Sequence, residues 1–186
     1  IVFSTEKFWQ LLDMALPAEA VTSEPIHEEV KDEKGEVILG EDGKPKTKLT
    51  GIKQIVDPEK ERPISAGWYA TEDGRTTSVA HWLEEDDFRS NGGVMNHEMV
   101  EGISKRKKPF TVDYTGFGWV LIKNGVFEHT DMKYPWFAPK MQQFESGAVQ
   151  DMCGEDVSFC LDAMDAGFEI WCDPRIRVGH EKTRVI

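Results

Sequence analysis

Basic residues are scarce in this chain. Its 22 lysines and arginines face 34 aspartates and glutamates, for a formal net charge of −12. A surface of that sign repels a nucleic-acid backbone unless a local basic patch offsets it. The one candidate patch, Ser104-Lys105-Arg106-Lys107-Lys108, is short and reads as a solvated turn. Long apolar runs are missing too: no stretch approaches the roughly 18–20 residues of a spanning helix, and no secretory leader is visible. Cysteine is limited to Cys153, Cys160 and Cys172, an odd number without dense spacing. That excludes a disulfide framework and suits reduced thiols in a cytosolic protein, so the expected location is cytoplasmic. There is no P-loop, zinc-ligand spacing, internal repeat or D-x-D tract.

What is present suits one globular domain: 186 residues, 39% hydrophobic and 30% charged. Ile1-Val2-Phe3 reads as the end of a buried strand without its beginning, so the chain is expected to be a domain truncated at its N-terminus. Ser4 is a helix N-cap, and Phe8, Leu11, Leu12, Ala15 and Leu16 follow helical spacing until Pro17. Residues 21–61 turn Glu- and Lys-rich, with turn signals at Lys34-Gly35 and Glu41-Asp42-Gly43-Lys44-Pro45. They read as a charged, hairpin-like insertion with strands at Glu36-Val37-Ile38-Leu39 and from Thr50 to Val56. Core character resumes at Ile64-Ser65-Ala66-Gly67-Trp68-Tyr69-Ala70, a short strand. Thr71 to Asn96 reads as irregular or as short strands, and Met95 to Ile103 as a short helix or loop. Phe110 to Tyr114 leads into Thr115-Gly116-Phe117-Gly118 and the apolar Trp119-Val120-Leu121-Ile122. Gly125 to Glu128 reads as a helical turn, and the prolines make Tyr134-Pro135-Trp136-Phe137-Ala138-Pro139 a loop. Strands alternating with helices predict an α/β class with a mixed sheet flanked by helices.

The chemistry concentrates after Gly154. Glu155 and Asp156 open a helix whose apolar face is Val157, Cys160, Leu161 and Met164, ending at Gly167. An alternating strand, Phe168 to Pro174, and then Val178-Gly179-His180 follow. A carboxylate at a helix start meets unpaired N–H groups and the positive end of the helix dipole, so one role for either acid is simply to cap the helix. Three neighbours point beyond capping. Gly154 allows close backbone approach, the Trp136-Phe137 loop offers an apolar face on which a sugar could stack, and His180 ends a strand where ligands collect in α/β sheets. His180 would bind metal only where other donors converge on it.

Taken in order, these segments resemble the C-terminal half of a GT-A-fold glycosyltransferase, close to the large inverting family 2. The resemblance rests on Ile1-Val2-Phe3 with its helix, Ala66-Gly67-Trp68-Tyr69, and Thr115-Gly116-Phe117-Gly118-Trp119-Val120-Leu121-Ile122. It continues through Tyr134-Pro135-Trp136-Phe137, Gly154-Glu155-Asp156-Val157-Ser158-Phe159-Cys160, Ala166 to Trp171, and Asp173-Pro174 to His180, and it leaves out residues 21–61. It implies a partial GT-A (Rossmann-like) sheet and transfer of a sugar from a nucleotide-diphosphate donor to a glycan or other hydroxyl acceptor. Asp156 would be the general base and Glu155 would orient the acceptor. Gly67, Trp68, Tyr69, Gly116, Phe117, Gly118, Trp136 and Gly154 would line the substrate pocket, and His180 would complete a Mn²⁺ or Mg²⁺ site. The nucleotide-binding half and its D-x-D precede this point in the family, so the resemblance implies an enzyme whose isolated fragment is inactive. Two other readings stand beside it: a non-catalytic carbohydrate-binding or scaffold module of the same fold, and a glycoside hydrolase. The adjacency of Glu155 and Asp156 speaks against the hydrolase, which needs two facing carboxyls.

Overall fold

The computed structural model describes residues 5–17, 20–56, 60–147 and 150–179. Ile1-Val2-Phe3, Ser4 and His180 therefore lie outside the described residues. The class is mixed α/β, with several sheets flanked by a few helices. The chain divides into two compact units, Leu16–Glu61 and the pairing of Ile1–Ala15 with Arg62–Ile186.

Helix α1 (Thr5–Ala15) buries Leu11, Met14 and Ala15 on one face. Leu16, expected on that face, lies past the helix end and is exposed; Met14 takes its place. Pro17 cannot donate the next helical hydrogen bond. The freed carbonyls go to Arg62, whose backbone N–H donates to Ala15 O at 3.1 Å and whose guanidinium donates to Met14 O at 3.3 Å. A cation there also complements the negative end of the helix.

The smaller unit is an antiparallel hairpin of β1 (Val21–Glu29) and β2 (Thr47–Val56). Val21–Glu29 carries no apolar alternation and was not expected to be a strand. Pairing makes it one: Glu24 sits opposite Lys53 and Glu28 opposite Lys48, directly opposed charges that favour this register. Glu36–Leu39 forms only isolated bridges, Lys31 to Val37 and Leu39 to Pro45, instead of the expected strand. At the end of the ribbon three bonds close a ring: Val30 N–H to Lys46 O, Lys46 N–H to Ile38 O, and Ile38 N–H to Val30 O, each 2.8 Å. The two loops between these residues are built alike. Gly35 N–H donates to Asp32 O and Gly43 N–H to Gly40 O, both at 3.0 Å. Both glycines have positive φ, 83° and 74°, which L side chains rarely adopt. The chain thus contains a short structural repeat where none was read in the sequence.

In the larger unit the strands are β3 (Ile64–Trp68), β4 (Thr76–His81), β5 (Asn96–Met99), β6 (Phe110–Val112), β7 (Tyr114–Thr115), β8 (Val120–Ile122), β9 (Lys140–Gln143), β10 (Gln150–Cys153) and β11 (Ile170–Arg177). The helices are α2 (Glu85–Ser90), α3 (Val100–Lys105) and α4 (Glu155–Asp165). A four-stranded sheet runs β6-β11-β3-β8, with β11 parallel to β3 and the outer strands antiparallel. The antiparallel sheet β5-β4-β7 and the hairpin β9-β10 complete the unit. Every residue of β3 is buried, as a central strand covered on both faces requires. Ile64, Trp68, Val112, Ile170 and Cys172 form the core with Phe159, Cys160 and Ala163 of α4.

Thr71–Asn96 contains the short strand β4, within expectation, and also helix α2. Met95–Ile103 divides into the strand β5 and the start of the short helix α3, and Gly125–Glu128 forms turns. The β9-β10 hairpin had no strand signal. Its short strands leave Met141 and Met152 exposed opposite each other.

The pairing of β11 with β3 positions the site. Parallel strands end on the same edge of a sheet, and α4 enters β11 through a turn at Gly167 (φ 86°). Helix α4 therefore runs back along the sheet, and its first turn lies at the edge where β3 gives way to Tyr69. β11 bulges there: its register breaks between Cys172 and Arg177. Within the bulge, the buried Asp173 accepts a bond from Arg175 Nε at 2.9 Å, and Pro174 O accepts the indole N–H of Trp68 at 2.8 Å. Gly67 is what permits this approach. A Cβ there would lie 2.6 Å from Ile176 O and 2.8 Å from Trp119 Cδ1. Gly67→Ala is expected to destabilise the chain by about 1–3 kcal/mol, the usual cost of overpacking. Urea denaturation checks this, and an unchanged midpoint would contradict the packing role.

Candidate functional site

Asp156 is the centre of a polar cluster at this edge. It lies in the first turn of α4 and is partly buried. Its Oδ2 accepts the phenol O–H of Tyr114 at 3.1 Å, and its Oδ1 accepts the N–H of Val157 at 2.9 Å. Gly154 precedes it as the helix N-cap, with φ −62°, so the glycine is needed for space and not for an unusual backbone. A Cβ at Gly154 would come within 3.3 Å of Asp156 Oδ1. Glu155 is exposed and turned to solvent.

Tyr69 covers the glycines of the 116–118 segment. A Cβ at Gly116 would lie 3.2 Å from Tyr69 Cζ, and one at Gly118 would lie 2.9 Å from Tyr69 Cδ1. These glycines therefore accommodate the tyrosine ring, where a ligand surface had been expected. Ser78 fixes the start of Tyr69, since its Oγ accepts the Tyr69 N–H at 3.2 Å.

The electrostatics follow from burial around one carboxylate. Burial first, then the Asp156 charge and the hydrogen bond to it, push the Tyr114 phenol well above its ordinary value. Burial and then the Asp156 charge raise Tyr69 in the same way. One helical turn on, burial pushes the Cys160 thiol up to about 12, and the Asp156 charge adds to the rise. Tyr114 is thus a neutral hydrogen-bond donor to Asp156 throughout the physiological range.

The structure brings together Tyr69, Gly116, Gly118, Gly154 and Asp156 from the expected site. It separates others from it. Trp68 is 2% exposed, with its indole N–H committed to Pro174 O, so it belongs to the core. Gly67 is taken up by strand packing. Phe117 lies edge-on to Phe159 and Phe137, with ring centroids 5.3 and 5.6 Å away. Trp136 packs on Phe127 at 5.0 Å, and its indole N–H is buried without a partner among the described residues. The exposed rings of that loop are Tyr134, 81% accessible and edge-on to Trp136, and Phe137.

The sequence gives no role to two residues here, Tyr114, which bonds Asp156, and His97, which packs on Tyr114. His97, on β5, donates from Nδ1 to Thr77 O at 2.9 Å and stands edge-on to Tyr114, with centroids 6.1 Å apart. A second polar cluster joins His81 to Glu98 at 3.4 Å and to Asp113 at 3.7 Å, with Arg106 donating to Glu98 at 2.7 Å. Asp113 also accepts the Trp82 N–H at 2.8 Å. These bonds tie β4 to β5 and to the turn before β7. An open hollow of about 370 Å³ beside α2 is lined by Leu83, Asp87, Ser90, Asn91 and Asn96.

Among the described residues no three His, Cys, Asp or Glu side chains gather as metal ligands. No helix among them is long and apolar enough to cross a membrane. Comparison with protein-family models, with curated proteins and with solved structures gives no match in any of the three.

The raised phenols and thiol carry a sign for stability. Groups whose pKa is higher in the folded chain stabilise it fully below their unfolded values and lose that contribution as pH rises through the folded ones. Stability should therefore decline above about pH 9–10, the ordinary range of Cys and Tyr. Asp156→Asn removes one cause of the Tyr114 shift, so its phenol should ionise at lower pH, though still above the ordinary value because burial persists. Carbon-13 NMR of labelled tyrosine resolves the three tyrosines of the chain. An unmoved Tyr114 titration would contradict the contact.

Proposed function

We propose that this chain is the acceptor-side part of a GT-A-type, family 2-like inverting glycosyltransferase, and that Asp156 is its general base. The observation that carries the reading is the Asp156 carboxylate in the first turn of α4, at the edge where the parallel strands β3 and β11 end. Ligands of open α/β sheets bind outside the carboxyl ends of the strands. The ordered likeness of the segments from Ala66 to Gly179 to that family supports it further, as does the partly buried carboxylate held by a phenol.

In the proposed reaction an acceptor hydroxyl attacks the anomeric carbon of a nucleotide-diphosphate sugar. The new C–O bond forms as the bond to the diphosphate oxygen breaks. Asp156 takes the hydroxyl proton, and the bonding pair leaves with the nucleoside diphosphate. A hydroxyl is a weak nucleophile until a positioned base takes its proton. Adjacent residues at a helix start diverge, which leaves one base, with exposed Glu155 beside it to meet the acceptor. In the family resembled, Mn²⁺ or Mg²⁺ neutralises the charge growing on the diphosphate. The described residues gather no ligand set for it, and His180 lies outside them, so no step above passes through the metal.

A second reading, a non-catalytic glycan-binding module, is favoured by the exposed ring of Tyr134. The two part on one variant. The protein expressed from its complete reading frame is incubated with a panel of nucleotide-diphosphate sugars, Mn²⁺ and glycan acceptors. Asp156→Asn is expected to lower transfer by about 100- to 10,000-fold, the range of general-base contributions, with thermal unfolding near that of the parent. Near-normal turnover would remove Asp156 from the role. Glycan binding without any nucleotide release, unchanged by the substitution, would favour the module.

A further inference from the structure

We infer that Tyr114 is the positioning residue of this site: its phenol holds the Asp156 carboxylate in the one orientation from which it accepts a proton. The inference rests on the reading of Asp156 as a base and assigns the group that aims it.

A carboxylate on a helix end turns freely about its last bond unless both oxygens are engaged. Here Oδ1 accepts the Val157 N–H at 2.9 Å and Oδ2 accepts the Tyr114 O–H at 3.1 Å. Each oxygen of an ionised carboxylate has two acceptor sites, so one remains on each for a substrate proton. The bonds come from two different elements, α4 and β7, so the aim of the carboxylate depends on how the helix sits on the strand.

Tyr114 is itself held. Ala80 of β4 pairs with His97 on one side and Tyr114 on the other. Residues directly opposite in antiparallel strands share a face, so all three lie in one row. Ala80 is small and fully buried, which lets the flanking rings meet over it at 6.1 Å, edge to face. The histidine ring cannot turn without losing its bond to Thr77 O. Among the described residues, the titratable groups raised by the Asp156 charge are Tyr114 of β7, Tyr69 after β3, and Cys160 on its own helix. Tyr114 donates to the carboxylate itself at 3.1 Å, and burial keeps it protonated as a donor.

Tyr114→Phe removes the hydroxyl and keeps the ring. In the protein expressed from its complete reading frame, the expected result is a fall in kcat of about 10- to 100-fold, the cost of a misplaced reacting group, with the donor KM unchanged. The fall is expected in kcat alone, because the phenol aims the reacting carboxylate and does not hold the donor. A structural role alone would lower stability without splitting kcat from KM. A second measurement needs no turnover: with 3-fluorotyrosine incorporated, Asp156→Asn should shift the fluorine resonance of Tyr114 and leave that of exposed Tyr134 in place. An unshifted Tyr114 resonance overturns the contact and the inference. A wild-type kcat in Tyr114→Phe overturns the inference while Asp156 stands as the base. If the wild-type protein transfers no sugar from any donor, the reading of Asp156 fails and the inference falls with it.

Discussion

The parallel pairing of β11 with β3 is the constraint on which the larger unit depends. It sets Ile170 opposite Ile64 and Cys172 opposite Ala66, so the two most buried strands share a register and a direction. Because they end together, the chain leaving β3 and the helix leading into β11 meet at one edge. Tyr69 comes from the first and Asp156 from the second. The same pairing requires Gly67, since any side chain there would strike the backbone of β11 at Ile176. It also gives the Trp68 indole its partner in the bulge at Pro174. Burial, backbone clearance and the location of the carboxylate are thus consequences of one arrangement.

Around that edge the glycines act by what they leave out. Gly154 clears the Asp156 carboxylate, and Gly116 and Gly118 clear the Tyr69 ring. None of the three needs a positive φ, so their service is space. The packed ring of Tyr69 and the phenol of Tyr114 then desolvate one another beside a carboxylate, which raises both phenols and the neighbouring thiol of Cys160. A rigid, partly dry setting around a single acid is suited to proton transfer, because the acid need not reorganise when it accepts.

Much of the large unit could be read from the sequence, and the reason is periodicity. Helix α4 shows its extent and its Gly167 stop, and Ile64–Trp68 is a continuous core strand. But α4 buries Ser158, Phe159, Cys160 and Ala163, and of the face read in the sequence Val157, Leu161 and Met164 are only partly buried. Where pairing decides structure, the sequence is silent. Val21–Glu29 is exposed nearly throughout and becomes a strand through its pairing with β2, in a register that sets Lys48 and Lys53 opposite its glutamates. The repeat at the ribbon end keeps just Glu33 with Glu41 and Gly35 with Gly43 identical, so its likeness lies in hydrogen bonds. The site divides in the same way. Asp156 stood out because helix starts have a local signature. Tyr114 and His97 come from strands whose meeting depends on a small residue, Ala80, in a third. The aromatic residues misled, since Trp68, Phe117 and Trp136 are as useful to a core as to a sugar.

The most direct test is to map ligand contact on the protein itself. With backbone amides assigned, a nucleotide-diphosphate sugar and a glycan acceptor are added to the protein expressed from its complete reading frame, and the shifts are recorded residue by residue. The account predicts that the acceptor perturbs the amides of Gly154 to Val157 and of Gly116 to Gly118, and that the Tyr114 ring shifts with them. Perturbation confined to the β1-β2 hairpin or to the hollow beside α2, with the Asp156 turn silent, would contradict it.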